Sequence, residues 1–153
     1  MKKPAAYGLA LALLGATAIT GTVHAQDATG PAFDRQTMMK QVGGAVRILS
    51  GMARGEAEYD PEAAVLGFRT IQAVAAGLPY LFPEGSETGD ETEAAPAIWS
   101  DWDGFVAAAN ELETDAAAAV ETGGGGLEAF QAAFMEVAGN CRTCHETYRI
   151  KRE

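Results

Sequence analysis

Cys141-Arg142-Thr143-Cys144-His145 places two thiols three residues apart, with an imidazole directly after the second. This C-x-x-C-H spacing is the covalent attachment site of c-type haem. On one helical turn, cysteines three apart face the same side and can form thioethers to the two vinyl groups of one porphyrin. The adjacent histidine then presents an imidazole nitrogen to the iron from one face. Other chemistries for the same residues are weaker. A C-x-x-C redox pair normally precedes a helix in a βαβ setting, and no strand-like alternation occurs here. A disulfide between helical residues three apart would close only a tiny loop. Zinc would need a fourth ligand from elsewhere.

Composition narrows the field further. The chain has 153 residues, with only two cysteines and two histidines, which excludes a framework of several disulfides. Its formal charge of −10 argues against nucleic acid as a partner, since neutralising phosphates takes a basic patch. Apolar residues make up 48%, enough for a core and too many for wholesale disorder. No acid/base pair or nucleophile marks the chain as an enzyme.

Residues 1–25 read as a cleaved signal peptide. Lys2 and Lys3 precede an apolar stretch from Leu9 to Val23, and Val23-His24-Ala25 offers a small residue before Gln26. The run is too short and too rich in Gly and Thr for a comfortable membrane span, and no cysteine follows it for a lipid anchor. The expectation is therefore a periplasmic protein of residues 26–153 with no membrane anchor after cleavage. Losing Lys2 and Lys3 but no acid takes the formal charge from −10 to −12. Losing His24 leaves His145 as the one histidine, beside Cys141 and Cys144.

Four helices must position this group. The first spans about Phe33 to Arg54, with a seam of Met39, Val42, Val46, Leu49 and Ala53. The second opens at Asp60-Pro61-Glu62, an N-cap acid before proline at N1, and carries Val65, Phe68, Ile71 or Gln72, Ala75 and Leu78. The third, about Ala97 to Val120, shows Ile98, Trp102, Phe105, Ala109, Leu112 and Ala116. The fourth starts at Leu127 and continues through Phe130, Phe134, Val137, Cys141, Cys144 and Tyr148. Steps of three and four are the seam of antiparallel helices at shallow angles, so the fold class is all-α, an antiparallel four-helix bundle with haem c covalently attached near the C-terminus. Gly55 to Tyr59 is a short turn, and Gly123 to Gly126 can supply a left-handed cap for the third helix. The long connection Leu81 to Pro96 reads as an ordered crossover at Leu81-Phe82-Pro83, mobile from Glu84 to Glu93.

With Tyr148 and Arg149 the motif extends to Cys-x-x-Cys-His-x-x-Tyr-Arg on the last helix. Together with Arg35-Gln36, Leu78-Pro79-Tyr80-Leu81-Phe82-Pro83 and Pro96-Ala97-Ile98-Trp99, it resembles the class II cytochromes c, the cytochrome c′ family, over essentially the whole of residues 26–153. In most members of that family the iron is five-coordinate and high-spin, under an apolar side chain four residues after an arginine. Counting from Arg35 reaches Met39, and Met39-Lys40 looks like a low-spin branch whose methionine ligates the iron. Independently of the resemblance, Met39 begins the first seam and faces the interior, and its soft sulfur suits haem iron. Met38 lies about 100° around the helix and is the weaker candidate. The competing reading makes Met39 a flexible core filler.

His145 and Met39 ligation implies a one-electron carrier, and a vacant sixth position implies binding of NO or CO instead. Gly43-Gly44 inside the first helix admits either a porphyrin or a close helix neighbour. Arg35, Tyr148 and Arg149 are candidate haem surroundings; Arg149 could equally be an ordinary arginine favouring the helix C-terminus. Trp99 and Trp102 read as core and crossover packing, and Phe68, Phe105, Phe130 and Phe134 as pocket or core wall. The acidic runs Glu84 to Glu93 and Glu111 to Asp115 are solvated surface, or steer a basic redox partner. Monomer and homodimer remain open; in the family, dimers form through helices one and two.

Overall fold

A computed structural model describes residues 30–88 and 92–150. The signal peptide expected at residues 1–25, and the part of the acidic crossover at 89–91, lie outside the described residues. The elements are α1 (Pro31–Ala53), α2 (Pro61–Gly77), a 3-10 turn (Leu78–Leu81), α3 (Ala97–Ser100), α4 (Trp102–Thr122) and α5 (Leu127–Tyr148). Helix α1 packs on α2, α2 on α4, α4 on α5 and α5 on α1, which closes an antiparallel four-helix bundle. Among the described residues there is no strand, only a single antiparallel bridge between Ala94 and Arg149.

Local chemistry sets the element ends. Asp60 accepts from the backbone N–H groups of Glu62 (2.9 Å) and Ala63 (3.1 Å), and Pro61 occupies N1, so α2 starts where its cap dictates. Helix α2 stops at Gly77, and Leu78-Pro79-Tyr80-Leu81 tightens into the 3-10 turn. The third helix is not continuous as expected. It breaks at Asp101 (φ −131°, ψ 55°), whose carboxylate accepts from the Tyr148 hydroxyl at 2.8 Å. Aspartate is a poor helix-interior residue, and here a tertiary hydrogen bond takes its side chain.

The expected left-handed cap at the end of the third helix is also corrected. Gly123 is right-handed (φ −67°), and Gly126 (φ 122°) is the residue that adopts positive φ, at the N-cap of α5. Gly123 answers to space instead: a Cβ there would sit 2.5 Å from Phe68 Cε2 and 2.7 Å from the Ala119 carbonyl oxygen.

The core divides into two clusters. The larger runs the length of the bundle through Val42, Leu49, Met52, Phe68, Ile71, Ala116, Phe130, Phe134 and Val137. The smaller, at the end where α5 finishes, joins Leu78, Phe82, Ile98, Phe105 and Tyr148. On α1 the buried stripe is Arg35, Val42, Ala45, Leu49 and Met52, so Val46 and Ala53 sit at its half-buried margin and not at its centre. On α2 it is Ile71, not Gln72, that is buried. Trp102, expected inside, is 39% exposed and packs tilted against Phe105, ring centroids 5.7 Å apart, while Leu127 is 46% exposed. The apolarity of 61–81 is long enough for a membrane span, but Ala64, Phe68, Ile71, Val74 and Ala75 of that stretch are core.

Candidate haem-binding site

Cys141 and Cys144 lie on α5 in line with Phe130, Phe134 and Val137, each half-buried and free. Burial pushes both thiols above the usual cysteine value, and the neighbouring Cys141 adds to the effect on Cys144. A reactive redox pair shows the opposite shift, so these thiols are not poised as thiolates. His145 follows on the exposed side of the helix. Shielding from water and then the charge of Arg149 hold its pKa below the usual histidine value, and Glu93 opposes them.

Met39 lies on α1. It is half-buried and packs against both core clusters, the smaller of which also holds Cys144, Trp99 and Tyr148. Met38 packs only against the larger cluster, which separates the two methionines as candidates. Gly43 and Gly44 have open space where a Cβ would stand, so close approach of a neighbouring helix does not account for them.

Arg35 is 6% exposed, and its guanidinium stacks 4.2 Å over Phe82 and 5.4 Å over Trp99. Its donors go to the crossover: Nε to the Leu81 carbonyl (2.7 Å), Nη1 to the Ser86 carbonyl (3.0 Å), and Nη2 to the Ser86 hydroxyl. Burial lowers its pKa from the usual value, partly offset by Glu87. Arg35 thus fastens the start of the crossover to α1. Ser86, at the start of the stretch expected to be mobile, is fastened to α1 by these bonds.

Tyr148 is buried, edge-on to Phe105 at 5.4 Å, and its bond to Asp101 raises its pKa above the usual tyrosine value. Arg149 is half-exposed and donates through Nε to Glu93 at 2.7 Å, again inside the crossover. Two contributors escaped the sequence reading. Asp101 had one signal, a cap-type residue inside a helical pattern. Glu93 had none, because nothing distinguishes it from the other acids in its run.

The residues present fit a haem. Two half-buried thiols and a histidine stand on one helix, a half-buried thioether packs into the same cluster, and two glycines leave room on α1. The indole nitrogen of Trp99 is buried without a hydrogen bond in that cluster, a donor suited to a carboxylate-bearing prosthetic group. Among the described residues, no group of three or more His, Cys, Asp or Glu side chains assembles as a metal shell.

A four-helix bundle with C-x-x-C-H on its last helix defines a c-type cytochrome. Residues 31–149 match the family model for cytochrome c′. Cytochrome c-556 of Agrobacterium fabrum is 38% identical over 141 residues, which are 92% of this chain and 93% of that protein. The solved cytochrome c′ of Rhodopseudomonas palustris superposes with a TM-score of 0.75 at 31% identity, covering 82% of this chain and 99% of that one. A variant cytochrome c′ of Alcaligenes xylosoxidans, solved as its nitric oxide complex, superposes at 0.68 with 26% identity, over 80% and 98%. The chain belongs to the cytochrome c′ family, carries haem c, and is a haem protein of electron transport.

Proposed function

We propose that this chain is an exported one-electron carrier in which Cys141 and Cys144 hold the haem, His145 ligates the iron on one face and Met39 on the other. The observation that carries this reading is the packing of Met39, and not Met38, in the cluster that contains Cys144. Haem c, when bound, supplies an Fe(II)/Fe(III) couple, and His/Met ligation favours a relatively high potential. The protein's part is to keep that environment fixed. Phe82, Phe105 and Tyr148 exclude water from the closed end of the bundle, and Arg35 holds the crossover over it. A site whose packing does not rearrange suits outer-sphere electron transfer.

The alternative, a five-coordinate iron that binds NO or CO, draws on the nitric oxide complex of the Alcaligenes xylosoxidans relative. A visible spectrum of the purified protein at neutral pH separates the two. Low-spin bands in both oxidation states, with slow CO binding on reduction, support Met39 ligation. Met39→Leu should then turn the spectrum high-spin and admit CO rapidly, while Met38→Leu leaves it low-spin. A high-spin ferric spectrum of the unaltered protein overturns the reading.

Export belongs to the same proposal. The mature chain is expected to begin at Gln26 in the periplasm, without an anchor, as a monomer or homodimer, and to meet a basic redox partner. N-terminal sequencing of the periplasmic protein tests the cleavage site.

A further inference from the structure

The crossover passes within reach of both sides of the haem site. At its start it is bound by Arg35, four residues before Met39. At its end it is bound by Arg149, four residues after His145. The second attachment has three parts. The Ala95 N–H donates to the Tyr148 carbonyl at 3.0 Å, and the Ile150 N–H donates to the Glu93 carbonyl at 2.8 Å. Between them, Ala94 and Arg149 pair as an antiparallel bridge. The Arg149 guanidinium then closes on Glu93, with Nε at 2.7 Å and Nη2 at 2.5 Å from the same carboxylate oxygen.

This arrangement does more than end a helix. Arg149 leaves helical geometry for an extended conformation (φ −118°, ψ 133°), and the bridge and ion pair hold it there. Without the carboxylate, the guanidinium of a half-exposed arginine is free to move relative to His145, four positions earlier in the chain. A mobile positive charge near His145 would change the energy of adding an electron to an iron held by that imidazole. The pair itself is surface-exposed and contributes little to stability, so its effect is positional.

We infer that Glu93 is a positioning residue for electron transfer: by clasping Arg149 to the crossover it fixes that cation relative to His145 and so sets the reduction potential of the haem. The inference rests on the reading of His145 as the proximal ligand.

The test is a set of midpoint potentials on the holoprotein, by spectroelectrochemistry. Glu93→Gln should raise the potential, both through the lost charge, which acts on His145, and through release of Arg149. Arg149→Gln should lower it. In the Glu93→Gln/Arg149→Gln double variant, the rise caused by losing Glu93 should be smaller than in the protein that keeps Arg149. A second readout needs no electron transfer: Glu93→Gln should speed hydrogen exchange of the Ala95 and Ile150 amides, while those inside α4 keep their protection. Strictly additive effects in the double variant, or unchanged exchange of the Ala95 and Ile150 amides in Glu93→Gln, overturn the clasp. A His145→Gln variant that keeps the native spectrum overturns the ligand reading instead, so the two failures are distinguishable.

Discussion

Arg35 carries a charge into the protein interior and has backbone carbonyls and hydroxyls around its guanidinium. A planar fork can meet the Leu81 and Ser86 carbonyls at once while stacking on Phe82, and an ammonium cannot. Arg35→Leu would strand those carbonyls; at about 1.5–3 kcal/mol for hydrogen bonds to a charged group, the loss should be about 2 kcal/mol in urea unfolding of the holoprotein. Arg35→Lys should recover little of it. The residue was legible in sequence as part of the Arg35-Gln36 resemblance, but its partners were not. They come from 46 and 51 positions away, and no local pattern encodes that pairing.

Among the elements, α5 was the most legible, because its interior positions recur at three and four residues from Phe130 to Tyr148 and each is buried or half-buried. The stripe on α1 drifted to Ala45 and Met52, since small and flexible side chains fit a seam as well as Val46 and Ala53 do. The break at Asp101 had only a cap-type residue to signal it, because its cause, the Tyr148 hydroxyl, lies 47 residues away. Two element-scale predictions follow from caps and contacts. Asp60→Ala removes both N-cap bonds of α2 and should cost about 1 kcal/mol. Gly123→Ala pushes a methyl into Phe68 and the Ala119 carbonyl, and overpacking of that kind costs about 1–3 kcal/mol. Thermal unfolding of each variant measures both, and an unchanged midpoint for Gly123→Ala would mean that α2 and α4 reseat without strain.

Over the whole molecule the leading feature is charge. A formal −10, or −12 for residues 26–153, produces a negative field that would speed encounter with any basic protein and is screened within about 10 Å at 0.1 M salt. Electron exchange with a cationic redox protein should therefore slow as ionic strength rises, and stopped-flow rates across a salt series measure it. Exchange with a neutral small-molecule oxidant should stay nearly flat over the same series. A protein-partner rate independent of salt would assign the acidic surface to solubility alone.

The sequence by itself determined the cofactor chemistry and the fold class, because both rest on short-range spacing. Cysteines three apart followed by histidine need only one helical turn, and apolar steps of three and four need only one helix. Tertiary structure decided what surrounds that turn: which methionine joins the cluster of Cys144, where Arg35 and Arg149 send their donors, and why Gly123 has no side chain. Those outcomes depend on contacts between segments far apart in the chain, where geometry after folding, and not residue type, selects the partner.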